Sequence, residues 1–447
     1  MISRMKILVV FLLIPFFAIA QNNPLENYIQ EGLKNNIVLQ QKNISLEQAT
    51  YALKSATGLF MPSVSIMAGY THGEGGRSIF IPVGDLMNPV YKTLNQLTNM
   101  NLFPQIDNVK ESFFPYKFYD VKVRTSMPVL NTDIIFNRQI KDGQVKLKEY
   151  EVEMYKKELV MEIKTAYYNY LSSLDGIKIY KSALNVAKEA KRVNESLLKN
   201  GAGLSVYLLR TESELENLEA QLLEAQTKSE SAKKYFNFIL NRDLNENIET
   251  METNEQVVNS AVDESSILNR EEIKMLNEGI EINRSLLNMN KYFWVPKISG
   301  FLDLGAQDSN WHLNKDSRYS LFGIQLEIPL FEGFRNNNKI ESAALDLKSA
   351  ELELAKTTEA LRLSTDIAKN DLLTAVKNYR SSLKQLAAAK SYFKLISKGY
   401  REGVNSFIET VDARSQLTNA MLLTNISKYK VFIARAKFER ETSSTKF

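Results

Sequence analysis

The chain has no cysteine among its 447 residues. This absence excludes disulfides, thiolate metal sites, a cysteine nucleophile and a lipid attached to an N-terminal cysteine. Only two histidines are present, His72 and His312, and they support neither a Ser-His-Asp triad nor a multi-histidine metal centre. We therefore expect no enzymatic activity, no metal site and no bound cofactor.

The chain also lacks a large excess of charge of one sign, because it has 56 basic and 52 acidic residues. No nucleic-acid partner is therefore expected. After the N-terminus, no apolar run approaches the roughly 20 residues of a spanning helix. Residues 1–20 predict a secretory signal peptide, because Arg4 and Lys6 precede the apolar stretch 7–17 and Ala18-Ile19-Ala20 forms a cleavage site. We expect an exported chain that starts near Gln21 and carries no lipid anchor.

Proline is scarce and unevenly placed. None of the ten prolines lies between residues 129 and 295 or after residue 329. This permits long helices, since an internal proline costs a helix about 3 kcal/mol. Four of the ten prolines flank stretches in which apolar and polar residues alternate. They are Pro62, Pro128, Pro296 and Pro329.

The alternation predicts four strands, at 62–71, 118–128, 296–305 and 320–329. One side of each strand is apolar and the other is polar or charged, apart from Phe301, which breaks the polar side. This pattern is typical of a membrane β-barrel with lipid outside and water inside. The alternative for any single strand is the half-exposed sheet of a soluble domain.

The two halves of the chain match each other at an offset of about 200 residues, as expected for duplication of a large unit. The predicted first repeat, 21–264, contains short N-terminal helices, strands 62–71 and 118–128, long helix 131–199, tip 200–205, returning helix 205–240 and equatorial segment 241–264. The second, 265–447, contains helix 266–294, strands 296–305 and 320–329, long helix 333–398, tip 399–406 and returning helix 405–441. An insertion at about 71–117, rich in Gly, Asn and Pro, is expected to be partly irregular.

The predicted helices differ greatly in length. At about 1.5 Å per residue, 131–199 and 333–398 would each be roughly 100 Å long, and the returning helices about 55 Å. A returning helix and a lead-in helix together match one long helix, so we expect the short helices to stack end to end beside the long ones. Helices of this length indicate an elongated assembly rather than an ordinary globular bundle.

This duplicated plan resembles the TolC-type outer-membrane efflux proteins over essentially the whole mature chain. The supporting phrases are LENYIQEGLKNNIVLQ near the start, the P-x-(V/I)-S strand openings, the P-(V/L)-(L/F) strand exits and GVNSFIETVDAR at Gly403–Arg414. The resemblance implies a mainly α fold with membrane β structure. In a homotrimer, four strands per chain would close a 12-stranded barrel, and the long helices would close a periplasmic α-helical barrel.

The resemblance also places functional residues at the helix tips. Tyr400, Glu409 and Asp412 match the family's gate positions, and Arg210 is the repeat equivalent of Asp412, so we expect Arg210 and Asp412 to approach each other at the constriction. Asn405 replaces the family's arginine, and Tyr207 stands where the family often has an acidic partner. The adaptor would dock on tip residues Gly201, Gly203, Leu204, Ser205, Gly403, Val404, Asn405 and Ser406.

Three functions fit this plan. The first is a passive exit duct, spanning the bacterial outer membrane and extending into the periplasm, for small molecules delivered by a periplasmic adaptor and an inner-membrane RND or ABC transporter. The second is an exit duct for type I protein secretion. The third is a pore-less periplasmic coiled-coil adaptor, which would have no need for two-faced strands. The transported substrate is not encoded in this chain.

Overall fold

The computed structural model describes residues 24–113, 116–251, 269–312 and 314–444. The predicted signal peptide and residues 252–264 of the predicted equatorial segment lie outside the described residues. Among the residues described, no helix combines the length and the apolarity that a membrane-spanning helix needs.

The described chain is mainly helical. Its helices are α1 (Pro24–Asn35), α2 (Ile37–Gly58), α3 (Val83–Thr98), α4 (Thr132–Lys199), α5 (Ser205–Ile239), α6 (Glu271–Lys291), α7 (Arg335–Arg401) and α8 (Phe407–Glu441). The two longest helices, α4 with 68 residues and α7 with 67, contain no proline, so their backbone hydrogen bonds run without interruption. Helix α7 ends at Arg401, three residues later than predicted, and α6 is followed by one 3-10 turn at Tyr292–Trp294.

The strands are β1 (Ser63–His72), β2 (Ser78–Ile81), β3 (Val109–Ser112), β4 (Lys117–Leu130), β5 (Lys297–Asp308) and β6 (Arg318–Glu327). Four of them form one antiparallel sheet in the order β1-β4-β5-β6. The prediction that a strand ends at Pro128 is wrong by two residues. The β4–β5 register shifts between Pro128 and Leu130, so the strand passes the proline, which has no N–H to donate.

The chain divides into two compact units. The first comprises residues up to Glu47, Lys146–Glu278 and Glu351 onwards. Its core packs α1 against α4, the end of α5 and α8. Tyr28 meets Phe236 edge to face at 5.1 Å, and burial raises the pKa of Tyr167 to about 12. This core arises because each helix presents one apolar stripe that must be removed from water.

The second unit comprises Gln48–Val145 and Gly279–Ala350 and contains the sheets. The insertion between β1 and β4 is more regular than the sequence predicted. It contains the β2–β3 pair and the 16-residue helix α3, which includes Pro89. Sequence reasoning missed α3 because its support comes from side chains that bond to a separate segment of the insertion.

Candidate functional site: a two-faced sheet and two helical tips

One face of the four-stranded sheet is apolar and open to its surroundings. Ile66 on β1 is 76% exposed and Phe322 on β6 is 74% exposed, and the exposed side chains Val64, Ile324 and Leu326 lie on the same face. A contiguous apolar face of this size on a folded chain marks a surface that meets a membrane or another protein. The alternation predicted from the sequence is the direct cause, because successive side chains of a strand point to opposite faces.

The opposite face carries paired charges. Arg124 on β4 donates two hydrogen bonds to Asp303 on β5, at 2.7 and 2.6 Å, and Asp303 is only 1% exposed. Lys122 donates to Asp120 at 2.8 Å, and the hydroxyl of Tyr319 donates to the same carboxylate at 2.7 Å. A bidentate guanidinium–carboxylate pair is among the strongest polar contacts in proteins, so this face is polar but largely charge-balanced.

Phe301, which breaks the polar pattern of β5, has a structural explanation. It pairs across the sheet with Gly323, and a Cβ atom on Gly323 would lie 2.6 Å from the Phe301 ring. The guanidinium of Arg124 lies over that ring at 5.0 Å. An aromatic ring therefore covers a glycine in the neighbouring strand, an arrangement that stabilises a strand position lacking a side chain.

Aromatic residues mark both ends of the sheet. Trp294, Phe331 and Phe334 are exposed at the end where the strands join the helices, and Trp311 is exposed at the other end beside Tyr70. A ten-residue strand is about 33 Å long, and a tilt of about 40° reduces its height to roughly 25 Å. This height matches the apolar band of a barrel in an outer membrane, where aromatic residues lie at both interfaces.

The two helical tips share one backbone design. Gly201 and Gly403 have φ angles of +75° and +76°. After Gly201, the N–H of Ala202 donates to Leu197 O at 2.9 Å, and after Gly403, the N–H of Val404 donates to Gly399 O at 2.8 Å. Each pattern is a Schellman C-cap, which needs a left-handed residue that glycine adopts without strain.

Beyond the second tip, Ser406 and Glu409 form a reciprocal capping box at the start of α8. Glu409 accepts hydrogen bonds from the backbone N–H of Ser406 at 2.6 Å, from Asn405 Nδ2 at 3.3 Å and from Ser406 Oγ at 3.0 Å. These bonds lower its pKa, so the carboxylate keeps its charge while it caps the helix. Asp412 accepts a hydrogen bond from Gln416 at 2.7 Å.

Behind the tips lies an aromatic and polar cluster that sequence reasoning missed. The ring of Phe407 lies 4.7 Å from Tyr207 and 6.2 Å from Tyr400. Tyr400 donates its hydroxyl hydrogen to Asn194 Oδ1 at 3.2 Å, and Asn194 donates to Thr211 Oγ1 at 2.9 Å. Burial raises the pKa of Tyr400. The predicted gate tyrosine is thus linked to the first repeat through Asn194.

Within one chain, the charged residues near the tips include a pair other than the predicted Arg210 and Asp412. Arg414 donates to Glu214 at 3.2 and 2.7 Å. Among the described residues of one chain, no ion pair joins Arg210 to Asp412. Arg210 lines a groove of about 480 Å³ together with Glu214 and Arg414. Arg414 lies in the GVNSFIETVDAR phrase, which was the available signal for this pair.

The tip turns expose apolar side chains around the predicted docking residues. Leu204 and Val404 are exposed, as are Val206 and Ile408 just beyond them. Gly203 lies so close to the preceding helix that a Cβ atom would be 2.8 Å from Leu198 N, and Gly399 lies against the Asn405 side chain. The glycines therefore allow tight turns that carry apolar residues outward.

Comparison with known proteins gives three further findings. Residues 264–439 match the model of the family described as outer membrane efflux protein. The predicted resemblance to outer-membrane efflux proteins is confirmed over these residues. The matched region falls almost wholly within the predicted second repeat.

Solved outer-membrane channels share the fold of this chain. The outer-membrane channel OprN superposes with a TM-score of 0.78 at 16% identity, covering 94% of this chain and 90% of that one. The outer membrane channel CmeC of Campylobacter jejuni superposes with a TM-score of 0.74 at 17% identity, covering 94% of this chain and 85% of that one. The predicted fold class, mainly helical with four strands per chain for the barrel, is confirmed.

A curated relative is the alkaline protease secretion protein AprF of Pseudomonas aeruginosa. It is 20% identical over 305 residues, which are 66% of this chain and 63% of that protein. The chain thus spans less than two thirds of the length of the curated relative it matches.

Proposed function

We propose that this chain forms a homotrimeric channel in the bacterial outer membrane and serves as the passive exit duct of a tripartite efflux pump for small molecules. The observation that carries the proposal is the four-stranded sheet, which exposes an apolar face, carries paired charges on the other face and has an unpaired edge on each side, at β1 and β6. A sheet with these properties is one part of a membrane barrel.

The two open edges of the sheet must pair with strands of other copies. Backbone N–H and C=O groups cannot remain unpaired in a bilayer, because each costs several kcal/mol there. The edge of β1 in one copy and the edge of β6 in the next would satisfy each other. Three copies supply twelve strands, an even number within the known range of bacterial barrels.

The two faces then acquire different surroundings. The apolar face, with Ile66 and Phe322, would contact lipid, and the face with Arg124 and Asp303 would line water. Because Arg124 and Asp303 neutralise each other, the barrel wall would select weakly by charge. Selection for ions would instead fall to the tips, where acidic rings favour cations.

The gate and docking assignments remain predictions. In a trimer, Asp412 and Glu409 would contribute two acidic rings, although Glu409 also caps α8, so Asp412 is the stronger candidate for the constriction. Arg210 would meet Asp412 only across copies or after a change at the tip. The exposed residues Leu204 and Val404 would contact a periplasmic adaptor that couples the duct to an inner-membrane transporter.

The test is to extract the protein from outer membranes in detergent, measure the mass of the particle and record single channels in planar bilayers. We expect a heat-resistant trimer and discrete conductance steps. The matched variants are Arg210→Ala, which should raise conductance if Arg210 narrows the passage, and Lys228→Ala, an exposed charge elsewhere on α5, which should not. A detergent-free monomer that passes no ions would overturn the proposal.

Export of a protein is a second candidate, favoured by the similarity to AprF, whose name describes alkaline protease secretion. The two functions can be separated in a strain that lacks its own exit ducts and carries the transporter and adaptor under study. Restored resistance to toxic small molecules supports the first candidate. Appearance of a transporter-dependent protein in the medium, without a change in resistance, supports the second.

A further inference from the structure

The two connections at the same end of the sheet are very unequal. The connection between β5 and β6 runs only from residue 309 to 317, whereas the connection between β1 and β4 runs from residue 73 to 116. The longer one contains the paired strands β2 and β3 and helix α3. The longer connection far exceeds the roughly 2–5 residues of an ordinary hairpin loop.

Helix α3 is held by two asparagines that clamp an extended segment. Asn88 donates to Ile106 O at 2.9 Å and accepts from Ile106 N at 2.9 Å. Asn95 does the same with Phe103, at 2.8 and 3.0 Å. Seven helical residues rise about 10.5 Å and three extended residues span about 10 Å. The spacing of the two asparagines therefore matches that of their two partners.

Other contacts make the same face of α3 rigid. The backbone N–H of Asp85 donates to Asn108 Oδ1 at 3.0 Å, and the rings of Tyr91 and Phe103 stack at 5.6 Å. A Cβ atom on Gly84 would lie 2.5 Å from Ile106 O, so helix and segment are in close contact. Helix α3 and the extended segment therefore form one small rigid unit.

The face of α3 away from the asparagines is apolar and has no partner among the described residues. Leu86 is 69% exposed, Val90 is 49% exposed and Leu97 is 78% exposed. At 100° per residue these three lie within about 40° of each other, and Asn88 and Asn95 lie about 180° away. We call Leu86, Val90 and Leu97 the α3 stripe.

We propose that the α3 stripes of three copies pack against one another across the outer mouth of the channel and form a cap that restricts its exit. This inference rests on the trimer proposed above, and the partner it names is a second copy of this chain. The stripe would be buried by its own symmetry mates, as expected of an apolar surface repeated around a closed axis.

Three observations favour a second copy over other occupants. The insertion leaves the sheet from β1, an edge strand whose free side must pair with the next copy, so the stripe emerges beside an interface between copies. Helix α3 carries one acidic residue, Asp85, and one basic residue, Lys92, so identical copies have no net charge to repel each other. Its 16 residues are about 24 Å long, and a twelve-stranded barrel is roughly 25 Å across.

The lack of cysteine makes the test direct, since one introduced thiol is unique in each copy. Leu97→Cys trimers are treated with a short bis-maleimide on intact cells, with Lys92→Cys as the matched control on another side of the same helix. We expect crosslinks between copies for Leu97→Cys and none for Lys92→Cys, together with a severalfold loss of single-channel conductance after crosslinking. The triple variant Leu86→Asn, Val90→Asn, Leu97→Asn should have a higher conductance than the unaltered channel.

Each alternative outcome has a separate meaning. Heat-resistant trimers in which Leu97→Cys reacts with an aqueous maleimide but forms no crosslink would overturn the cap and leave the channel standing. Protection of Leu97→Cys from aqueous maleimide without crosslinking would place the stripe in lipid or on another protein, and would also overturn it. Failure of the unaltered protein to form trimers would overturn both the cap and the proposed function.

Discussion

Replacing Arg270 with methionine should destabilise the helical unit in a pH-dependent way. Arg270 is 1% exposed. Its guanidinium donates to Glu272 at 3.2 and 2.8 Å and, through Nη1, to the backbone and side-chain oxygens of Glu441, both at 2.8 Å. Arg440 also contacts Glu272, at 2.9 Å. The variant leaves two largely buried carboxylates with fewer partners.

The magnitude follows from Glu272. Burial alone would raise its pKa, but the hydrogen bonds and charge of Arg270, a backbone hydrogen bond and the charge of Arg440 lower the pKa from 4.5 to about 2. At about 1.4 kcal/mol for each pKa unit, this corresponds to about 3.5 kcal/mol of stability. Because the folded pKa is depressed, that stability is present above about pH 4.5 and is lost as the pH falls towards 2.

The assay is urea unfolding of the detergent-solubilised protein, followed by circular dichroism between about pH 7 and pH 3. We expect Arg270→Met to be less stable by about 2–4 kcal/mol near neutral pH, and the difference from the unaltered protein to shrink as the pH falls below 4.5. The control is Arg362→Met, which removes an exposed pair with Glu359 and should change stability by less than about 0.5 kcal/mol. A difference that is independent of pH, or equal for the two variants, would refute the reasoning.

Three further predictions concern the tips and the sheet. Ser406→Ala removes the cap of α8 and should cost about 1 kcal/mol, seen as faster amide exchange in the first turn of the helix, whereas Ser406→Asp should retain protection. Arg124→Leu leaves the carboxylate of Asp303 without its bidentate partner and should lower the temperature at which trimers dissociate; the double variant with Asp303→Leu should recover part of the loss, and no recovery would contradict the pairing. Tyr400→Phe removes the hydrogen bond to Asn194 and should raise single-channel conductance at nearly unchanged stability, whereas unchanged conductance would remove Tyr400 from the gate.

Several local features could be predicted because their causes lie within a few residues. Absence of proline in α4 and α7 allowed unbroken helices, and alternation around Pro62 and Pro296 produced two-faced strands. The capping box of α8 was also available, since Ser406 and Glu409 have the S-x-x-E spacing, yet Glu409 was interpreted only as a gate residue. A carboxylate at the start of a helix accepts hydrogen bonds from nearby backbone N–H groups. This capping role competes with a role in the gate.

Other features depended on residues far apart in the chain. The hydrogen bonds between Asn88 and Ile106 hold α3 in place, and the helix forms although it contains Pro89. Arg414 pairs with Glu214, 200 residues earlier. Phe301 looked misplaced until the sheet register set it against Gly323.

The amino-acid sequence by itself determined the long helices and the two faces of each strand, because helical continuity and the period-2 alternation are properties of a local backbone. Only the tertiary structure decided which charges pair, which glycine an aromatic ring covers and which face of α3 remains without a partner. Those outcomes depend on distances between side chains, and such distances exist only after the segments have come together.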